Sequence, residues 1–254
     1  MAIAIITGAS SGIGKEMLMQ ISGFEGIDEI WAIARSSGRL EKLKNQSRIP
    51  VRPVPMDLCN AENFKTLSDM LEKEGAKVSV LINCAGYGKF GSYSDIDIDA
   101  SLGMIDLNCR ALVGVTESII PFMPKGSSIL QVCSIAAFQP LPLANIYAAT
   151  KAFVLNYSRA LAVELSDKKI SVTALCPGWT DTPFFDRATD TKNPGAVTNY
   201  SFMQTPERVA KQGLTAMRKG RCVSIVGKQN KILYVLNKIL PVKLVMKIWL
   251  RLKN

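Results

Sequence analysis

The stretch Ala2-Ile3-Ala4-Ile5-Ile6-Thr7-Gly8-Ala9-Ser10-Ser11-Gly12-Ile13-Gly14-Lys15 decides how this chain folds. Its first half is a short, β-rich apolar run, and its second half carries glycines at 8, 12 and 14. A strand that runs straight into such a turn and then into a helix opens a βαβ unit. The glycines permit a tight turn, close approach of backbone to a pyrophosphate, and close packing of helix on strand. The helix that follows offers free N–H groups and the positive end of its dipole, which together seat a phosphate. Gly8, Ser10, Ser11, Gly12, Ile13 and Gly14 are therefore candidate contacts for a dinucleotide.

Beyond this opening, short apolar runs alternate with longer helical stretches. Strands are expected at Ile3–Ile6, Glu29–Ala34, Val51–Val54, Val78–Ile82, Ser128–Val132, Ile170–Leu175 and Cys222–Val226. Helical patterns lie near 12–23, 38–47, 61–74, 97–121, 145–166 and 206–219. Most strand runs are continuously apolar, as expected when both faces of a sheet are covered. The alternation predicts an α/β fold: a doubly wound parallel sheet of about seven strands with helices on both faces. Residues 1–227 form one catalytic domain in this reading, and 228–254 a basic extension. Residues 178–204 break the rhythm, mixing polar residues with Trp179, Phe184, Phe185, Tyr200, Phe202 and Met203. A long loop at a strand's carboxyl end lies on the ligand-binding side of an open α/β sheet.

Composition narrows the chemistry. The chain has 254 residues, 48% of them apolar and 20% charged, which is globular rather than disordered. It contains no histidine, which excludes a Ser-His-Asp triad, a histidine proton shuttle and most zinc sites. No metal is expected. The six cysteines lie singly, without a Cys-x-x-Cys pair. The first apolar run, Ala2 to Ile6, is far short of the roughly 20 residues that span a bilayer. A cytoplasmic protein with reduced thiols is expected, at most peripheral to a membrane surface.

The net charge of +10 is unevenly spread. After Glu207 there are twelve Lys or Arg and no acid, so the preceding residues are close to neutral. This basic end is a local device, and no general affinity for nucleic acid is expected.

Two further positions bear on a cofactor and its chemistry. The second strand ends Ile33-Ala34-Arg35-Ser36-Ser37. An acidic residue there would bond the ribose hydroxyls; Arg35 instead pairs with a 2′-phosphate, with Ser36 and Ser37 adding donors, so NADP(H) is expected over NAD(H). Tyr147 and Lys151 are four apart on a helical pattern, which stacks them on one face. An ammonium beside a phenol lowers its pKa from the unperturbed ~10 and makes Tyr147 a candidate acid/base. Ser134 ends the fifth strand, where its hydroxyl can polarise a carbonyl beside that phenol.

The ordered set Thr7-Gly-x-x-x-Gly12-x-Gly14, Asp57-Leu58, Asn83-Cys84-Ala85-Gly86, Asn108, Ser134, Tyr147-x-x-x-Lys151 and Pro177-Gly178-x-x-x-Thr182 resembles the short-chain dehydrogenase/reductase family over roughly residues 2–226. The resemblance implies a Rossmann-type fold. It also implies that Asp57 and Leu58 contact the adenine, and that Asn83, Ala85 and Gly86 shape the cofactor floor. Pro177, Gly178, Thr180 and Thr182 would border the nicotinamide, with Thr182 on its carboxamide, and Lys151 would hold the nicotinamide ribose. Asn108 would bind a water linking Lys151 to solvent. Cys84 stands where the family has a second asparagine; inert packing is its expected role.

Phe90, Tyr93, Phe138, Leu141, Trp179, Phe184 and Phe185 are the candidate substrate wall. Such a wall suits a bulky hydrophobic alcohol or ketone, and similar sequences include hydroxysteroid dehydrogenases. The alternatives are a 3-oxoacyl thioester reductase, a non-catalytic NADP(H)-sensing protein and a membrane-surface binding protein. After Pro241 the tail places Lys243, Lys247 and Arg251 on one stripe, and Leu244, Val245, Ile248, Trp249 and Leu252 opposite. That is an amphipathic helix, suited either to an anionic lipid surface with Trp249 inserted, or to packing on the body or another subunit. A homo-oligomer, dimer or tetramer, is expected.

Overall fold

Seven apolar runs pair side by side, all parallel, in the order β3-β2-β1-β4-β5-β6-β7. The computed structural model describes residues 1–253; Asn254, the end of the expected extension, lies outside the described residues. The strands are β1 (Ala2–Thr7), β2 (Glu29–Ala34), β3 (Val51–Pro55), β4 (Lys77–Asn83), β5 (Ser128–Val132), β6 (Ser171–Cys176) and β7 (Val223–Ile225). Each lies within one residue of its sequence expectation.

Helices α1 (Gly12–Gln20), α2 (Ser37–Lys44), α3 (Glu62–Lys73), α4 (Ile98–Ile105), α5 (Leu112–Ile119) and α6 (Asn145–Glu164) connect these strands. Then come α7 (Phe184–Ala188), α8 (Pro206–Arg218), α9 (Lys228–Ile239) and α10 (Val242–Leu252). Two expectations change here. The single helix over 97–121 is interrupted between α4 and α5 by a π-helical turn, Asp106–Ala111, which displaces the helix register beside the site. The loop over 178–204 is not wholly irregular, because α7 forms inside it.

The continuous apolar strands are explained by two cores. Ile3 and Ile5 of β1 pack with Trp31, Leu67, Leu81 and Val115 on one face. Their alternates Ala4 and Ile6 pack with Met17, Ile30, Val209 and Leu214 on the other. Period-two side chains therefore meet helices in both directions, α3 and α5 on one side and α1 and α8 on the other.

Topology then places the crevice. From β1 the chain winds outward to β2 and β3, and crosses back to β4 on the opposite side of β1. The carboxyl ends of β1 and β4 flank this switch point, where open α/β sheets bind ligands. Thr7 Oγ accepts the Cys84 and Ala85 N–H groups at 3.1 and 3.2 Å and so ties the two strand ends together. Asn83 continues the brace, its Nδ2 donating to Thr116 Oγ1 at 2.9 Å. Among the described residues no helix is long and apolar enough to cross a membrane.

Candidate active site

The glycine turn shows why side chains are excluded there. Gly8 has φ +67°, and a Cβ on it would come within 2.8 Å of the Ala85 nitrogen. A Cβ on Gly14 would collide with the Gly8 carbonyl oxygen, so α1 could not approach β1. The resulting cradle opens into a single cavity of about 1060 Å³.

One end of this cavity is the expected nucleotide groove. Gly8, Ser10, Ser11, Gly12, Ile13, Arg35, Ser36, Asp57, Leu58, Ala85, Gly86, Pro177, Gly178, Thr180 and Thr182 all line it. Gly14, Asn83 and Asn108 do not; the structure places them behind the wall as packing and bracing residues. Arg39 also faces the groove and had been missed. Its signal was present, four residues after Arg35 across the turn into α2. Neither arginine is in an ion pair among the described residues. Both are exposed cations that face the groove, Arg35 just after β2 and Arg39 within α2.

Midway along the cavity stand Ser134, Tyr147 and Lys151. Helix α6 carries the last two one turn apart, as the spacing required. Ser134 follows β5, and its hydroxyl accepts the Ala136 N–H at 3.1 Å, which holds it at the start of a short 3₁₀ turn. Lys151 is buried and donates through Nζ to the Val132 carbonyl at 2.8 Å.

The electrostatics differ from the sequence expectation. Burial dominates at Tyr147 and pushes the phenol well above its ordinary value, while a bond with Ser134 partly opposes this. The Lys151 ammonium lies 5.8 Å from the ring centroid and is engaged by the Val132 carbonyl. Burial also lowers the pKa of Lys151 itself. Burial pushes the Cys84 thiol up to about 12, which leaves it unreactive packing.

Asn108 sits in the π-helical turn, buried. Its Oδ1 accepts the Tyr87 N–H at 3.0 Å, and its Nδ2 donates to the Tyr87 carbonyl at 2.8 Å and to Thr150 Oγ1 at 3.0 Å. Those bonds clamp the segment after β4 to α6, one residue from Lys151.

The far end of the cavity is aromatic. Phe90, Leu141, Trp179, Phe184 and Phe185 line it together. Trp179 meets Phe90 edge-on at 5.9 Å and Tyr200 at 5.2 Å, and Phe184 lies 5.5 Å from Tyr147. Two expected wall residues are elsewhere. Tyr93 is 88% exposed and outside the cavity, because the segment after β4 turns outward beyond Gly91. Phe138 faces away, its ring 4.6 Å from Tyr234, and supports α9 instead.

Residues 2–193 match the short chain dehydrogenase family. This chain belongs to that family. The relatives include an uncharacterized oxidoreductase of Staphylococcus aureus (strain MW2), 32% identical over 71% of this chain and 78% of its own length. Two solved structures share the fold. A short-chain dehydrogenase from Sphingobium yanoikuyae in complex with NADPH has a TM-score of 0.78 at 24% identity, covering 97% of this chain and 96% of that one. A 3-ketoacyl-(acyl-carrier-protein) reductase from Brucella melitensis complexed with NADH has a TM-score of 0.74 at 23% identity, covering 89% and 96%.

In this short-chain dehydrogenase the last two helices complete the cavity wall, a role the tail's sequence did not announce. Ile232, Leu233 and Leu236 of α9 and Val245, Ile248 and Trp249 of α10 all line it. Of the two alternatives for the tail, Trp249 follows the packing one and turns inward. Its Nε1 donates to the Pro142 carbonyl at 2.8 Å, and its ring lies 6.4 Å from Trp179. The Lys253 carbonyl accepts the Thr198 and Asn199 N–H groups at 2.8 and 2.9 Å and pins the end of the tail to the loop after β6.

Proposed function

We propose that this oxidoreductase interconverts a hydroxyl and a carbonyl on a bulky apolar substrate with NADP(H), a ketosteroid-like ring system being the favoured class. One observation carries the reading: a single cavity joins the glycine cradle and its arginines to the aromatic wall, with Tyr147 at the junction. A nicotinamide cofactor, when bound, supplies the hydride. The chain's own residues do the rest.

Ser134 and Tyr147 offer two hydroxyls to one substrate oxygen. In reduction, Tyr147 donates its proton to the developing alkoxide while Ser134 holds the same oxygen. The raised phenol pKa keeps Tyr147 protonated through neutral pH, the state a proton donor requires. In oxidation it accepts the proton back. Lys151 would hold the nicotinamide ribose and bring its cation to the phenol. Asn108 keeps α6 in place for both, through Thr150. Arg35, Ser36 and Arg39 would hold the 2′-phosphate of NADP(H). Asp57 and Leu58 would border the adenine, and Thr182 the carboxamide. Self-association through the exposed apolar side chains Ile98, Leu102 and Ile105 of α4 is part of this proposal.

The test is loss of NADPH absorbance with a panel of ketosteroids, retinoid aldehydes and 3-oxoacyl thioesters, each repeated with NADH. Turnover confined to the ketosteroids and NADPH supports the reading. Turnover confined to the thioesters moves the substrate to that class, and no turnover with any carbonyl rejects the enzyme reading.

A further inference from the structure

Helices α9 and α10 carry an apolar surface that the body does not cover. No residue of α9 is buried, and its Ile232 and Ile239 are 60% and 72% exposed. Only Val245 of α10 is buried, while Val242, Leu244, Leu250 and Leu252 are exposed. Apart from the aliphatic side chains that border the cavity, what α9 sets against the body is polar or aromatic. Asn230 Nδ2 donates to the Val226 carbonyl at 2.6 Å, Asn237 bonds Gln139, and Tyr234 packs at a tilt against Phe138. A helix lying on a body in water shows the reverse arrangement.

Two observations say what covers this face. Lys228, Lys231, Lys238, Lys243, Lys247 and Arg251 are interspersed with it, no acid follows Glu207, and none of the six is in an ion pair among the described residues. A second copy brought against the same face would oppose cation to cation. An anionic surface would not. The face is also continuous with the catalytic cavity: Ile232, Leu236, Ile248 and Leu252 line the cavity and are exposed at the same time.

We propose that α9 and α10 seat the protein on an anionic lipid bilayer, and that their apolar mouth admits a membrane-dissolved substrate to Tyr147. The proposal rests on the reading of the substrate as a bulky apolar carbonyl. The exposed aliphatic side chains enter the acyl boundary while the cations meet the headgroups. A carbonyl dissolved in lipid then reaches the aromatic wall without crossing water. Trp249 fastens the mouth to the body rather than to the bilayer.

The test uses full-length protein with NADPH and vesicles of phosphatidylcholine, with or without phosphatidylglycerol. One variant reverses three charges, Lys243→Glu, Lys247→Glu and Arg251→Glu. The other is Ile239→Asp, whose side chain lies outside the cavity. Sedimentation with anionic but not neutral vesicles is expected. The charge reversal is expected to weaken it by about a hundredfold or more, with reduction of a water-soluble ketone unchanged in both variants. Failure of the intact protein to sediment overturns the proposal, as does vesicle binding that survives the charge reversal. A dimer that Ile239→Asp dissociates, without vesicle binding, also overturns it and assigns the face to a second copy. Sedimentation without turnover of any apolar ketone sinks the substrate reading, and with it the mouth's role, but leaves the lipid-docking face standing. Turnover without sedimentation sinks the docking alone.

Discussion

Helices α8 and α9 are neighbours in the chain, of 13 and 12 residues, and both are amphipathic, yet they meet opposite fates. Helix α8 buries Val209, Ala210, Leu214 and Met217 against the sheet and α1. Gly213 allows the close approach, since a Cβ there would lie 2.7 Å from Leu175 Cδ2. Helix α9 buries nothing, touching the body through two asparagines and a tyrosine. An apolar face thus holds the fold together in α8 and is left for the surroundings in α9. In the reading proposed above, the body carries stability and chemistry, and the extension carries access.

The sharpest way to break that contrast is to cut each face in turn. Leu214→Ala should destabilise the protein by about 2–5 kcal/mol, the usual cost of emptying a packed site, read from urea unfolding. A cost near zero would mean α8 is as loosely held as α9.

Chemistry confined to the body predicts the next effect. Tyr147→Phe removes the proton donor and keeps the ring, so kcat should fall by a factor of about 10² or more with NADPH affinity retained. Near-normal kcat would show that another group is the acid.

Cofactor selection should respond less strongly. NADPH is expected to bind about tenfold tighter than NADH, the low end of what a charged hydrogen bond contributes. Arg35→Asp should invert that order in titration calorimetry. Equal affinities for the two cofactors in the unaltered protein would remove the arginines from the 2′-phosphate site.

The smallest effect completes the comparison. Ile239→Ala on α9 should change unfolding stability by no more than about 0.5 kcal/mol, as for exposed positions generally. A loss matching that of Leu214→Ala would mean something in solution already covers α9.

Much of the site was legible because its signals are local. Glycine spacing reports permitted φ and close approach, and the four-residue step from Tyr147 to Lys151 reports a shared helix face. Arg35 was readable as a strand-end cation, and Arg39 would have been with the same rule applied one turn later. Tyr93 and Phe138 were misjudged because nearness in sequence to a site residue does not say which way a loop turns. The phenol's pKa was misjudged for a related reason: spacing reveals a neighbouring cation, while desolvation depends on everything packed around it.

The sequence by itself determined the parallel sheet, the glycine cradle and the shared helix face of Tyr147 and Lys151, because each rests on short-range geometry and side-chain periodicity. Only the tertiary structure decided that the basic tail closes the cavity, with Trp249 turned inward and Val235 and Ile239 turned out. Periodicity shows that a helix has an apolar face. What that face meets is set by contacts between residues far apart in the chain, here Trp249 with Pro142 and Asn237 with Gln139.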